Sequence, residues 1–283
     1  AMPQTPDYAA WIGREERSDD QIDLRSARAL AATLDLDPQH LQPGDALPPL
    51  WHWVYFTPTT RQSGLGPDGH PERGGFLPPV TLPRRMWAGG RVDFRQPLRI
   101  GDAAKRESRI LRCERKDGRS GELVFVTVRH SLHGPAGLAL VEEHDIVYRA
   151  GQPGGTPLAG ETPPAQADFR RRVHPDAPLL FRYSALTFNG HRIHYDHPYA
   201  TQREGYPGLV VHGPLVATLL LEAFRAAHPG AVARRFDYRV VGTLFDDADF
   251  DACGAVTAPG HAELWTDCAG RLTMRGTLAF TAG

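Results

Sequence analysis

Little in this chain marks it for secretion, for nucleic acid or for a membrane. Its 283 residues include only 3 cysteines, Cys113, Cys253 and Cys268, widely spaced and without a CxxC pair. That argues against a disulfide framework and a cysteine metal site, and leaves inert thiols in a reduced intracellular setting. No long block of one charge sign exists: 32 basic against 33 acidic side chains give a formal charge of -1. The electrostatic footprint of nucleic-acid binding is therefore missing. No run approaches the ~20 apolar residues that cross a bilayer, and the N-terminus has no signal-peptide core. Ala1-Met2 reads as a remnant of tag cleavage ahead of a native start. A cytoplasmic location is the expectation. The length suits one large domain or two small ones.

What is present is a repeated order of elements. Residues 24–34 are rich in Ala, Leu and Arg and read as a helix with Asp23 as N-cap. Residues 40–85 are loop-like, with an apolar island from Leu50 to Phe56. From Gly90 to about Arg149 the period becomes strand-like. Arg91–Phe94, Lys105–Cys113, Glu122–Leu132 and Leu138–Tyr148 are separated by turn signals. Residues 151–167, with four prolines, four glycines and few bulky apolar side chains, read as a linker. The second half then offers a strand at 180–188, a helix from Pro214 to about Ala227, and strands near 234–244, 252–265 and 270–281.

A local echo supports duplication. Asp93-Phe-Arg-Gln-Pro-Leu-Arg-Ile-Gly-Asp102 resembles Asp237-Tyr-Arg-Val-Val-Gly-Thr-Leu-Phe-Asp246 in setting an aromatic and an Arg before an apolar stretch that ends in Asp. With the repeated helix-then-strands order, it predicts two similar α+β units, 8–150 and 168–283. The helix at 214–227 is apolar around most of its circumference and so is largely buried. A buried helix wrapped by a long antiparallel sheet is the hot-dog arrangement.

The chemistry gathers in Asn189-Gly-His-Arg-Ile-His194 and in Gly208-Leu-Val-Val-His-Gly-Pro214. Pro214 opens the helix, where a missing N–H costs nothing. A helix N-terminus carries unpaired N–H groups and partial positive charge, which suits an oxygen that gains negative charge. An imidazole beside such donors can move a proton next to an activated carbonyl. Structural readings compete at each position. Asn189-Gly190 is a strong turn signal, Gly213 suits a tight turn, and His212 fits a structural place at the start of the helix. His191, His194, Asp196 and His197 also suggest zinc. On an extended chain, however, His191 and His194 would point to opposite faces, and no HExxH helix exists, so no metal is expected.

The segment resembles the hydratase-2 motif of MaoC-like enoyl-CoA hydratases of the hot-dog superfamily. In that motif Asp-x-Asn-Pro-aliphatic-His is followed by five residues and a small one. Asn189-Gly-His-Arg-Ile-His194, five residues and Ala200 keep the spacing, the Ile and the His. Val211-His212-Gly213 is similar to the family's small-residue lead into its central helix. The resemblance extends weakly over the whole chain. It is nearest the subgroup of mesaconyl-C4-CoA and itaconyl-CoA hydratases and 3-hydroxyacyl-thioester dehydratases, in which a degenerate N-terminal hot dog precedes a catalytic one.

The resemblance implies a double hot-dog, α+β fold with a long antiparallel sheet wrapped around central helices. It implies a hydro-lyase that adds water to, or removes it from, the C2–C3 double bond of an acyl-CoA. A branched C5 dicarboxylyl-CoA is the first expectation and a longer 3-hydroxyacyl thioester the second. His194 would be the acid–base, Asn189 the holder of water in place of the motif's Asp, and Gly213 N–H the donor to the thioester oxygen. Asp196, Glu204 or His191 could assist. Arg192, the nearest cation in sequence, would serve a substrate carboxylate, with His191, Trp53 and Phe56 as further substrate contacts. Trp53 and Phe56 equally suit core. The CoA thioester is substrate, no other cofactor is implied, and a homodimer is compatible. Arg84-Arg85 and Arg170-Arg171-Arg172 read as solvated surface, with a CoA-nucleotide contact as the competing reading. A thioesterase and a non-catalytic acyl-binding subunit are the alternatives.

Overall fold

The computed structural model describes residues 8–118, 121–150 and 161–282. In the first half, β1 (Glu15–Gln21) and α1 (Leu24–Thr33) precede β2 (Arg84–Phe94), β3 (Ala103–Gly118), β4 (Gly121–Gly134) and β5 (Gly137–Arg149). In the second half, β6 (Phe169–Val173), α2 (Ala177–Thr187) and α3 (Gly213–Ala227) precede β7 (Val232–Val240), β8 (Phe250–Ala258), β9 (His261–Asp267) and β10 (Met274–Thr281). All ten strands form one sheet in the order β1-β3-β4-β5-β2-β7-β10-β9-β8-β6. Each neighbouring pair is antiparallel. The halves meet where Gly89–Asp93 of β2 pairs with Arg239–Arg235 of β7. The two echo segments begin on these strands, and Asp93 and Asp237 both ion-pair with Arg235.

The expected helix at 24–34 is α1, and Asp23 caps it by accepting from Ser26 N–H at 2.8 Å. The expected helix at 214–227 is α3, buried at every position from Leu215 to Phe224. It lies on β6, β8 and β9, as an apolar helix must. The halves are not equivalent, however. α1 packs chiefly on α2, on the turn Pro38–His40 and on the tight turn Trp51–Val54, and residues of β3, β4 and β5 line a cavity.

Residues 180–188 are not a strand. They belong to α2, whose N-cap Asp176 accepts from Leu179 N–H at 3.0 Å and whose first turn holds Pro178. A dense apolar run hid this helix, because a short buried strand and a short helix look alike in composition. The expected strand at 252–265 is the hairpin of β8 and β9, turning at Pro259-Gly260. The expected strands at 234–244 and 270–281 are β7 and β10, ending at Val240 and beginning at Met274. Of the expected linker 151–167, residues 151–160 lie outside the described residues. Glu161 bridges to Leu272 and ion-pairs with Arg239 and Arg275.

Apart from Arg85, the two arginine clusters are not free surface charge. Arg170 and Arg172, on edge strand β6, pair with Asp267 and Asp251, and Arg171 bonds Leu34 O at 2.5 Å. Arg84 is buried, donates to Glu204 O at 3.2 Å and lies over the Tyr206 ring. No helix among the described residues is long and apolar enough to cross a membrane.

Candidate active site

The 189–194 segment is a compact loop, and this overturns the argument that separated its histidines. α2 ends with Phe188 in the left-handed region, and Asn189 N–H returns to Ser184 O at 2.8 Å. Asn189 Oδ1 accepts from His191 N–H at 3.0 Å, the side-chain turn that Asn-Gly favours. Arg192–His194 then forms one tight helical turn. His191 and His194 therefore share a side, with ring centroids 5.5 Å apart.

His194 sits against the segment leading to α3. Its Nδ1 lies 2.7 Å from Val210 O. A carbonyl only accepts, so Nδ1 carries the proton and Nε2 keeps its lone pair. Nε2 has no hydrogen-bond partner among the described residues. Burial pushes the His194 pKa down to about 4, against the opposing pull of the Val210 carbonyl. The side chain is a neutral base at neutral pH.

Three further imidazoles extend the row. His212 stacks on His194 at 3.7 Å and 17°, with Nε2 2.8 Å from Ser184 Oγ. On the other side, His70 lies 4.0 Å from His191. Burial, reinforced by the neighbouring rings, holds His191 and His212 well below their ordinary value. Burial also lowers His70, although Asp68, with Oδ2 3.3 Å from its Nδ1, pulls the other way. Burial alone would raise Asp68, but its bonds from His70 hold it below the usual range. The row is uncharged at neutral pH. Asp68, His70 and His191 also place three potential metal-ligand atoms within 4.8 Å of one another, as do His130, Glu142 and His144.

Gly213 opens α3 with no side-chain cap, since His212 at the N-cap turns its ring to Ser184. Pro214 has no N–H, and Gly213 N–H has no partner among the described residues. The 15-residue helix thus presents an unspent donor and its positive end. A Cβ on Gly213 would meet Trp87 Cε3 at 2.8 Å, so glycine is what allows the aromatic wall to close on the helix start.

A cavity of about 1510 Å³ runs between the halves, and Asn189, His191, Arg192, His194, Gly213, Trp53 and Phe56 all border it. Arg192 is nevertheless committed elsewhere. It bonds Asp196 Oδ2 at 2.7 and 2.9 Å and Pro67 O at 3.0 Å, and lies 4.2 Å from the Tyr199 ring centroid. It braces two loops and is not a free cation. Asp196 is held by Arg192 and by Tyr199 N–H, and Glu204 by the Tyr199 hydroxyl, so neither bonds His194. Trp53 donates Nε1–H to Glu142 Oε2 at 2.9 Å and meets Trp87 edge-on at 5.2 Å. Phe56 is buried beneath the Arg106 guanidinium. Both aromatics are core and cavity wall at once.

Asp68, His70 and Trp87 escaped the sequence reading because the first half supplies them. The signal available was Asp68-Gly-His70, a polar cluster inside a long loop. Gly69 (φ +87) lies so close to the site loop that a Cβ would fall 1.8 Å from Gly190 O. Gly69→Ala must therefore push the 66–72 loop off His191. We expect kcat/KM to fall at least about tenfold, the scale of overpacking a tight contact, with the far-UV spectrum unchanged. Unaltered kinetics would show that the loops act independently.

A two-halved sheet with one enclosed helix, an uncapped helix start and a neutral buried imidazole over a long cavity together define a double hot-dog hydro-lyase for acyl thioesters. The sequence matches the family described as Hydroxyacyl-thioester dehydratase type 2 over residues 50–246, and the chain belongs to that family. It is 53% identical over 246 residues to the mesaconyl-C(4)-CoA hydratase of Chloroflexus aurantiacus, covering 86% of this chain and 87% of that one. A solved MaoC-like dehydratase shares the fold at TM-score 0.73 and 14% identity, covering 98% of this chain and 100% of that one. A conserved hypothetical protein of Mycobacterium tuberculosis, described as having a double hotdog fold, does so at TM-score 0.61 and 13% identity, covering 95% and 96%.

Proposed function

We propose that this chain hydrates the C2–C3 double bond of a branched C5 dicarboxylyl-CoA such as mesaconyl-CoA, giving citramalyl-CoA; itaconyl-CoA would reach the same product by water adding across its C3 methylene double bond. The observation that carries the reading is His194, locked by Val210 O with Nε2 as a free base, in the wall of a cavity that Gly213, with its unpaired N–H, also lines. The identity to the Chloroflexus hydratase supports the substrate class. The cavity exceeds the roughly 300–1,000 Å³ of a drug-sized site, which suits an acyl group with its pantetheine arm.

In this reading His194 Nε2 takes a proton from water as the oxygen bonds to C3. The C2–C3 π electrons move toward the thioester, and Gly213 N–H holds the enolate oxygen. The proton then passes to C2, so one water is added in all. Asn189 spends Oδ1 on its own loop and keeps its NH2 to hold the water. The same steps in reverse dehydrate a 3-hydroxyacyl thioester, the activity in the family's description. The CoA thioester is the substrate and no separate cofactor enters. The division into a degenerate hot dog (8–150), a linker (151–167) and a catalytic hot dog (168–283), a cytoplasmic location and a homodimer belong to the same proposal.

The test is a panel of enoyl-CoAs followed by loss of enone absorbance, with free thiol measured in parallel. Hydration of the C5 dicarboxylyl esters without thiol release is expected. Thiol release would mark a thioesterase, and binding without turnover an acyl-binding subunit.

A further inference from the structure

The proposed substrate carries a second carboxylate, and Arg192 is not available to receive it. Four arginines border the cavity: Arg73, Arg85, Arg106 and Arg192. Arg73 bonds the carbonyls of Val80, Leu82 and Pro83 and lies over Tyr148. Arg192 is held by Asp196. Arg106 stands over Phe56 in the field of Glu16, Glu142 and Asp20. Among the described residues, only the Arg85 guanidinium in this set has neither a hydrogen bond, an ion pair nor a ring contact.

Its place on the sheet is informative. Arg85 and Trp87 are two apart on β2, so they share a face and stand roughly 6.6 Å apart along the strand. Their partners on β5, Tyr148 and Ile146, line the same cavity. Trp87 closes on Gly213, so Arg85 lies one side-chain place from the start of α3. Its charge is also felt at His70 and His191, which it helps to keep unprotonated. A half-buried guanidinium with no hydrogen-bonded or ion-paired partner is free to receive an anion.

We infer that Arg85 is a specificity-determining residue that receives the distal carboxylate of the acyl group. A thioester oxygen on Gly213 N–H would leave the far end of a four-carbon chain, three bonds on, directed along β2 toward Arg85. A planar guanidinium suits a carboxylate through paired N–H donors. The inference rests on the hydratase reading for its substrate, but its test does not need turnover.

Succinyl-CoA and butyryl-CoA share a chain length, cannot be hydrated, and differ in the distal carboxylate. Their binding is measured by calorimetry on wild type, Arg85→Gln and Arg85→Lys. Wild type should prefer succinyl-CoA by roughly tenfold or more, the scale of a hydrogen bond to a charged group. Arg85→Gln should erase that preference while leaving butyryl-CoA binding unchanged, and Arg85→Lys should restore part of it. Retained butyryl-CoA affinity certifies the variant's fold. Equal weakening of both ligands would assign Arg85 to the shared CoA portion or to the fold, and no change in either would remove it from recognition; each overturns the inference. If the preference follows Arg85 but no enoyl-CoA is hydrated, the hydratase reading fails while the carboxylate site stands.

Discussion

Replacing His194 with alanine will lower turnover by at least roughly a hundredfold while leaving acyl-CoA binding largely intact, the usual scale of lost acid–base catalysis. The expectation rests on geometry, since Nε2 is left free by the bond of Nδ1 to Val210 O. It also sets a pH profile. Burial places the folded-state pKa at about 4, so the base form persists above that value and activity falls as pH drops through it. The stability sign follows from the same numbers. The unfolded imidazole titrates near 6.5 and takes up protons that the folded one refuses, so stability is full above about pH 6.5 and declines as pH falls toward 4. Near wild-type turnover in His194→Ala, measured on the best substrate of the enoyl-CoA panel, would remove the residue from the mechanism.

Glu142→Leu should be the most destabilising single change in the first half. Glu142 is buried on β5, and its Oε2 accepts from His52 Nε2 and Trp53 Nε1, both at 2.9 Å. Burial alone would raise its pKa, but His52 and His144 hold it well below the carboxylate range. This carboxylate ties the 51–54 turn to the sheet. Leucine removes it and strands two buried donors, at a cost of about 3–5 kcal/mol. For a chain of this size the melting temperature should fall by the order of 10 °C. Glu142→Gln keeps an acceptor and should cost less. The lowered pKa makes this contribution present above the unfolded carboxylate value and lost as pH falls below it. A melting temperature within a degree of wild type for Glu142→Leu would mean that the network adds no stability.

The parts of the fold that were legible in the sequence are those with an apolar face. α3, the long strands β3 to β5 and only the last residues of β2, Arg91–Phe94, announce themselves through periodicity, and Asp23 marks the start of α1. The strands that escaped are β1, Glu-Glu-Arg-Ser-Asp-Asp-Gln, and β6, Phe-Arg-Arg-Arg-Val. They are the two outermost strands of the sheet. A charged edge blocks pairing with other chains, and the same charges erase the alternation by which a strand is read. At the site, the motif spacing brought Asn189, His194 and Gly213 to one cavity. It could not bring His70 or Arg85, because contacts across 100 or more residues leave no local trace. The stacking of His212 on His194 was likewise invisible, since it depends on how the 208–212 segment lies against the loop.

The inequality of the two halves has a consequence for stoichiometry. Two like units, each with a helix filling its curve, would repeat any binding site they had. Here one unit keeps its helix on the sheet, and the strands of the other line a cavity. On the proposed function the repeat would be used once, one half as reagent and the other as mould. A titration should saturate at one thioester per 31.2 kDa chain, and the mould can be reshaped for another acyl group without disturbing the reagent.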